Sequence, residues 1–273
     1  MSKIFFIFSI LFLFSSCEQL VNIGDFTSSQ KYPANVGHEW EYNTIWKFEF
    51  YDSTGHIDST SFENLGNTII RIIQERDTIG SYTNLVAFKC FDESTPQNIN
   101  KMWYMNLDSG LYVIAYSNPG ASQLVLPKTS VMTFERLKHL IKTIGTFPGS
   151  FDEANSLYQL TDTIQYYTPT RKVLTYPLTI GSRWIELTVP FFRERYIQKK
   201  EIVNTNSGSY NCYKLESNWS WSNLEFNDYV DLKAGLIMRE IIADSIAISL
   251  ETTPDTVGFF KSTTISKLMR EKK

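Results

Sequence analysis

Residues 40–51 alternate without a break. Trp40, Tyr42, Thr44, Trp46, Phe48 and Phe50 fall on one side, and Glu41, Asn43, Lys47 and Glu49 on the other. A period of two places successive side chains on opposite faces of a strand, so one face is buried and the other solvated. At about 3.3 Å per residue the run reaches nearly 40 Å, about twice an ordinary strand, and a sheet containing it must curve. Turn signals at Ser53-Thr54-Gly55 and Asp77-Thr78-Ile79-Gly80 separate it from runs near 57–63, 67–76 and 82–91, which read as an antiparallel meander. Residues 99–107 and 111–117 are joined by Asp108-Ser109-Gly110, whose glycine suits a tight hairpin.

The same pattern then returns. Tyr32-Pro33-x-x-x-Gly37-x-x-Trp40 is matched by Tyr176-Pro177-x-x-x-Gly181-x-x-Trp184, and Tyr104-x-x-Leu107-x-x-Gly110-Leu111 by Tyr229-x-x-Leu232-x-x-Gly235-Leu236. In the first phrase proline fixes the entry, glycine permits the turn and tryptophan starts a strand as a core anchor. The expected fold is mainly β: antiparallel meanders from two diverged repeats, about 32–117 and 176–243, with long curved strands in a half-barrel-like sheet. Between them Ser130, Val131, Phe134, Leu137, Ile141 and Ile144, closed by Gly145 and Pro148, predict one amphipathic helix within a connector at about 130–160. Its outer face carries Arg136, Lys138, His139 and Lys142, a solvated face or a surface for anionic lipid. Strands near 193–203, 209–221, 224–232, 236–250 and 257–268 complete a single β-rich domain over 32–273.

The N-terminus reads as an export signal. Lys3 precedes an apolar stretch at 4–14, interrupted by Ser9, and Ser15-Ser16 precede Cys17. Eleven helical residues cover roughly 16 Å, about half of a hydrocarbon core, so a permanent span is disfavoured. Leu13-Phe14-Ser15-Ser16-Cys17 resembles the lipobox of bacterial lipoproteins, with Phe14 where an aliphatic residue is usual. That resemblance implies a signal peptide at 1–16, diacylation of Cys17 and a lipidated tether at 17–31. Palmitate-type chains on Cys17 would then make the membrane a partner, since two acyl chains give stable anchoring where one does not. Glu18 is not the aspartate of the inner-membrane retention signal, which by the same resemblance favours the outer membrane. The competing reading is an ordinary signal peptide that leaves Cys17 a plain thiol.

The remaining cysteines, Cys90 and Cys212, form an even pair in an exported chain, where disulfides persist. They are a candidate disulfide, or two buried thiols among alternating apolar residues. A net charge of −3 without a basic cluster excludes a nucleic-acid footprint.

Catalytic signatures are missing. His38-Glu39-Trp40-Glu41-Tyr42 starts like a zinc-protease motif but has tyrosine where a second histidine is required, and His56 and His139 have no partner, so no metal and no cofactor is expected. There is no G-x-S-x-G elbow, phosphate-binding glycine loop or EF-hand. Asp92, Glu93, Asp228 and Asp231 are candidate paired acids for glycan hydrolysis, but each reads more simply as a solvated strand-end or turn residue. Trp46, Trp103, Trp219 and Trp221 are candidate ligand-contact aromatics, or core. A membrane-spanning barrel is disfavoured, because it would need recurring outward apolar bands.

The lipobox with the repeated Tyr-Pro phrase resembles β-rich envelope lipoproteins of diderm bacteria that have no assigned reaction. It implies a lipid-anchored envelope protein, a non-enzymatic binding or structural component whose partners are an apolar or amphiphilic ligand or other envelope proteins. Long curved strands also look like the half-barrel of lipoprotein carriers, an analogy of architecture. The alternative function is a glycan-binding or glycan-hydrolysing surface lipoprotein.

Overall fold

The structure is a computed structural model that describes residues 30–93, 95–117, 131–132, 164–188, 192–219, 224–250 and 253–273. Thirteen strands form one sheet: β1 (Glu39–Tyr51), β2 (Ile57–Ile79), β3 (Tyr82–Asp92), β4 (Thr95–Leu107), β5 (Gly110–Ser117), β6 (Val131–Met132), β7 (Ile164–Thr175), β8 (Arg183–Leu187), β9 (Arg193–Thr205), β10 (Gly208–Trp219), β11 (Leu224–Asp231), β12 (Gly235–Leu250) and β13 (Thr253–Lys272). Twelve of them follow the order β7-β5-β4-β3-β2-β1-β13-β12-β11-β10-β9-β8, and β6 pairs with β12 outside that path. Every pairing along the path is antiparallel.

The sheet continues past a half-barrel and nearly closes. Its two end strands, β7 and β8, are held together by side chains: Trp184 Nε1 donates to the Lys172 carbonyl at 2.8 Å, and Arg171 Nη2 lies 3.0 Å from Glu186 Oε1. Bulges give the long strands the curvature this requires, because an extra residue in one strand bends it and raises its twist. β1 carries a register shift against β13 between Glu41 and Tyr42, and one against β2 between Thr44 and Ile45, beside Gly66 at φ +98°. The runs expected at 57–63 and 67–76 are therefore a single strand of 23 residues with a bulge at the break.

The alternation of β1 is realised. Trp40, Tyr42, Thr44 and Trp46 are buried, while Asn43 and Lys47 lie on the outer side. Ile45, between them on that outer side, is the apolar exception and is 45% exposed. Of the predicted helix, Val131 and Met132 instead pair in parallel with Ala247 and Ile248 of β12; the rest of 130–160 lies outside the described residues, as do residues 1–29.

The two Tyr-Pro phrases stand at the same end of the barrel and make corresponding bonds. Gly37 at φ +90° donates its N–H to the Ile72 carbonyl, and Gly181 at φ +87° donates to Ile197. Each phrase clamps the hairpin of the other half. Trp40 Nε1 donates to the Ala234 carbonyl at 2.6 Å, and Tyr32 Oη accepts from the Leu236 N–H at 3.1 Å. In turn, Tyr176 N–H reaches the Ser109 carbonyl at 3.3 Å, and Tyr176 Oη donates to Asn106 Oδ1 at 3.1 Å. The hairpin glycines are set by this close approach: a Cβ on Gly110 would stand 2.2 Å from the Leu174 carbonyl oxygen, and one on Gly235 would stand 3.0 Å from Tyr32 Oη. Around these corners Trp40, Tyr42, Ile70, Phe88, Tyr104, Leu111, Val173, Leu215 and Leu268 fill the interior.

Candidate functional site: a charged belt inside the barrel

Beyond that apolar plug the interior changes character. Arg171, Arg193, Arg195 and Arg239 are at most 1% exposed, with Glu186 at 4% and Asp228 at 2%. Each owes its inward direction to strand parity. Arg193 and Arg195 share a face with the core residue Ile197 on β9, Asp228 stands between Phe226 and Val230 on β11, and Arg239 between Ile237 and Ile241 on β12.

Two carboxylates organise the four guanidiniums. Asp228 Oδ1 accepts from Arg239 Nε at 2.7 Å, and its Oδ2 accepts from Arg239 Nη2 at 3.0 Å and Arg195 Nη1 at 2.8 Å. Glu186 Oε1 accepts from Arg171 Nη2 at 3.0 Å and from Arg193 Nη2, and its Oε2 accepts from Arg195 Nε at 2.5 Å. Arg195 thus links both acids. The Phe226 ring packs under the guanidinium carbons of Arg195 and Arg239 at 5.1 and 4.6 Å, and Tyr167 does the same for Arg171 at 5.1 Å. Hydroxyls extend the belt: Ser217 stands opposite Arg195 in the β9–β10 register, Ser266 opposite Arg239, and Thr44 Oγ1 bonds Ser266 Oγ at 2.8 Å.

Asp228, Arg171 and Arg195 are charged at neutral pH. Burial pushes the Asp228 carboxyl up, but Arg239 and Arg195 outweigh it and hold it below the usual carboxylate range. Burial lowers Arg171 to about 10, still protonated at neutral pH, while for Arg195 the pull of Glu186 and Asp228 exceeds the effect of burial and raises it. Charge-assisted, forked bonds of this kind tie the two acids and four arginines into one network.

The residues singled out from the sequence are scattered. Trp46 is 1% exposed, its Nε1 donating to Ser262 Oγ at 2.8 Å, next to the belt. Trp103 is 6% exposed but faces away from its neighbours Met102 and Tyr104, in a second small core with Ile79, Leu85 and Ile114, and bonds Asp77 Oδ2 at 2.8 Å. Trp219 ends β10, its side chain outside the described set, and Trp221 and Cys17 lie outside the described residues.

Cys90 and Cys212 are buried thiols that are not bridged to each other. Their strands, β3 and β10, stand six places apart in the ring of twelve, on opposite walls. Burial pushes the Cys212 thiol up to about 12, so it stays protonated.

Of the candidate acids, Asp228 is the one the sequence placed in solvent and the structure places in the belt. Asp231 Oδ1 accepts the Lys233 N–H in a turn, Glu93 bonds Asn67 on the surface, and the Asp92 side chain is outside the described set. His38 stacks on Trp40 with centroids 4.2 Å apart and bonds Glu271 at 2.8 Å, beside an open cavity of about 310 Å³ lined by Pro33, Val36, Leu232, Lys233 and Lys273. Among the described residues no cluster of His, Cys, Asp or Glu is placed to hold a metal ion.

No protein-family model and no curated protein matches the chain. Two solved structures are similar in shape. One is a proposed exported protein with a YmcC-like fold from Bacteroides fragilis, at 13% identity and TM-score 0.37 over 90% of this chain and 100% of that one. The other is a proposed lipoprotein from Parabacteroides distasonis, at 13% identity and TM-score 0.32 over 88% and 97%.

Proposed function

We propose that this chain is a lipid-anchored envelope protein that works by binding or by supporting an envelope assembly, with Cys17 acylated in the outer membrane and 32–273 folded as one domain of two diverged halves. The observation that carries this reading is how Tyr32 is fixed. Its N–H donates to Tyr176 Oη at 2.8 Å, its carbonyl accepts from Asn106 Nδ2 at 2.9 Å, and its hydroxyl accepts from Leu236. The barrel therefore starts rigidly 15 positions after Cys17. At most ~3.6 Å per residue, the intervening chain lets the Tyr-Pro end stand no more than about 54 Å from the acyl chains. The halves' reciprocal clamping of each other's hairpins supports a duplication. The acids of the belt, Glu186 and Asp228, are closed off from solvent and held by arginines, so they are not placed to act on a glycan.

Intact mass of the protein from the membrane fraction tests the anchor. Acylated Cys17 as the mature N-terminus is expected, and Cys17→Ser releases the protein from membranes; any other mature N-terminus overturns the reading.

A further inference from the structure

We propose that the Tyr-Pro end of the barrel rests against the surface of the bilayer that holds the Cys17 acyl chains, with an anionic phospholipid headgroup in the cavity beside His38. This contact depends on the lipid anchor read above and names the face that the anchor brings to the membrane.

The turns at this end carry aliphatic side chains where polar ones are usual. Val36 and Ile180 hold the same place in the two Tyr-Pro phrases, directly before the glycine, and are 55% and 57% exposed. Leu107 and Leu232 correspond in the two hairpins; Leu107 is 44% exposed, and Leu232 lines the cavity together with Val36. Single exposed aliphatics are commonplace on protein surfaces, but two corresponding pairs at one end of a barrel make a face.

The cavity of about 310 Å³ lies within that face. Pro33, Val36 and Leu232 give it an apolar wall, and Lys233 and Lys273 bring two ammonium groups to it. Lys273 Nζ stands 3.4 Å from Glu271 Oε1, which also holds His38, whereas Lys233 makes no ion pair among the described residues. An aliphatic wall beside ammonium groups matches a phospholipid where its phosphate meets the start of its acyl chains.

The tether delivers this end. Tyr32 is fixed in its corner and Lys31 pairs with Asp108 at 2.6 Å, so the chain toward Cys17 leaves next to Leu107. The other end of β1 lies roughly 40 Å away along the strand. Confinement by a short tether turns each contact with the bilayer into an intramolecular one, so individually weak contacts suffice. The internal segments outside the described residues all join strand ends at the opposite end, so the turns at the Tyr-Pro end are described throughout.

The test uses the full acylated protein in vesicles of phosphatidylethanolamine and phosphatidylglycerol whose acyl chains are brominated to quench fluorescence. A polarity-sensitive fluorophore is placed on Val36→Cys, on Ile180→Cys or, at the far β1–β2 turn, on Ser53→Cys; Cys90 and Cys212 are buried and stay unlabelled. Probes at 36 and 180 are expected to shift to the blue and to be quenched at least about twofold more than the probe at 53. Lys233→Glu, at an exposed site, and replacement of phosphatidylglycerol by phosphatidylcholine should each reduce the quenching at 36. Vesicle flotation separates the two readings. A protein that floats with the vesicles but shows equal quenching at all three positions, or none, overturns the docking and leaves the anchor standing. A protein that does not float overturns the anchor, and the docking with it. Quenching at 36 that responds neither to Lys233→Glu nor to the loss of phosphatidylglycerol overturns the headgroup site.

Discussion

At the Trp40 end, the barrel interior is closed by rings and by indole and phenol groups bonded to main-chain carbonyls. Around Arg195, farther along the same strands, it is closed by guanidiniums and carboxylates. The first arrangement draws on removal of apolar surface from water and on close packing, which changing salt barely touches. The second draws on a balance between charges that would each be costly alone. One continuous sheet can carry both, because strand parity fixes only which side chains point inward, leaving the composition of each layer free. The apolar end holds the chain's entry and both Tyr-Pro corners. The charged layer holds the buried arginines and the two acids that pair them.

Substitutions in the two layers separate these sources of stability, beginning with the largest effects. Trp40→Ala removes the ring that stacks on His38 and Phe88 and frees the Ala234 carbonyl, with an expected loss of about 3–5 kcal/mol in urea unfolding. Glu186→Ala should cost a similar ~3–5 kcal/mol for a different reason, because it strips the shared acceptor from Arg171, Arg193 and Arg195. The two are told apart by anions: added salt or phosphate recovers part of the Glu186→Ala loss and none of the Trp40→Ala loss. Equal recovery in both, or in neither, would erase the distinction between the layers. A smaller effect is expected of Tyr32→Phe, which keeps the ring and loses the hydroxyl that accepts the Leu236 N–H; about 1 kcal/mol should go, with no change in anion response.

How much of this was legible in the sequence differs between the same two regions. β1 and the Tyr-Pro phrases were readable because their information is local: a period of two, a glycine at a turn, a tryptophan at a strand start. The belt was not, because Arg171, Glu186, Arg195, Asp228 and Arg239 come from five separate strands and a charged residue in an alternating strand ordinarily faces water. Asp228 illustrates the error. Taken alone it reads as a solvated strand-end acid, yet it shares parity with Phe226 and Val230, both 1% exposed. That parity was the available signal, and it could be trusted only once the sheet was known to curl into a near-closed ring. The half-barrel expectation fell short for the same reason: closure depends on Trp184 reaching the Lys172 carbonyl and Arg171 reaching Glu186, between strands consecutive in the chain but at opposite ends of the sheet order, which no local pattern encodes.

Acid titration gives the smallest and most discriminating contrast. Burial pulls His38 below its ordinary value, with the bond to Glu271 opposing, so the folded protein holds this ring neutral where the unfolded chain takes up a proton. Stability from this site is complete above about pH 6.5 and declines as pH falls below it. Asp228 behaves as a depressed carboxyl: its contribution persists down to about pH 4 and is lost only below that, as the buried carboxylate is forced to take up a proton beside Arg239 and Arg195. Urea unfolding measured from pH 8 to pH 3 should therefore show a shallow decline beginning near neutrality and a steeper one in acid. His38→Gln is expected to flatten the first and leave the second in place, since His38 sits in the Trp40 layer and touches none of the belt's ion pairs. A single acid transition, unmoved by that substitution, would mean that the two layers titrate as one unit and that the apolar plug does not insulate the corner from the charged interior.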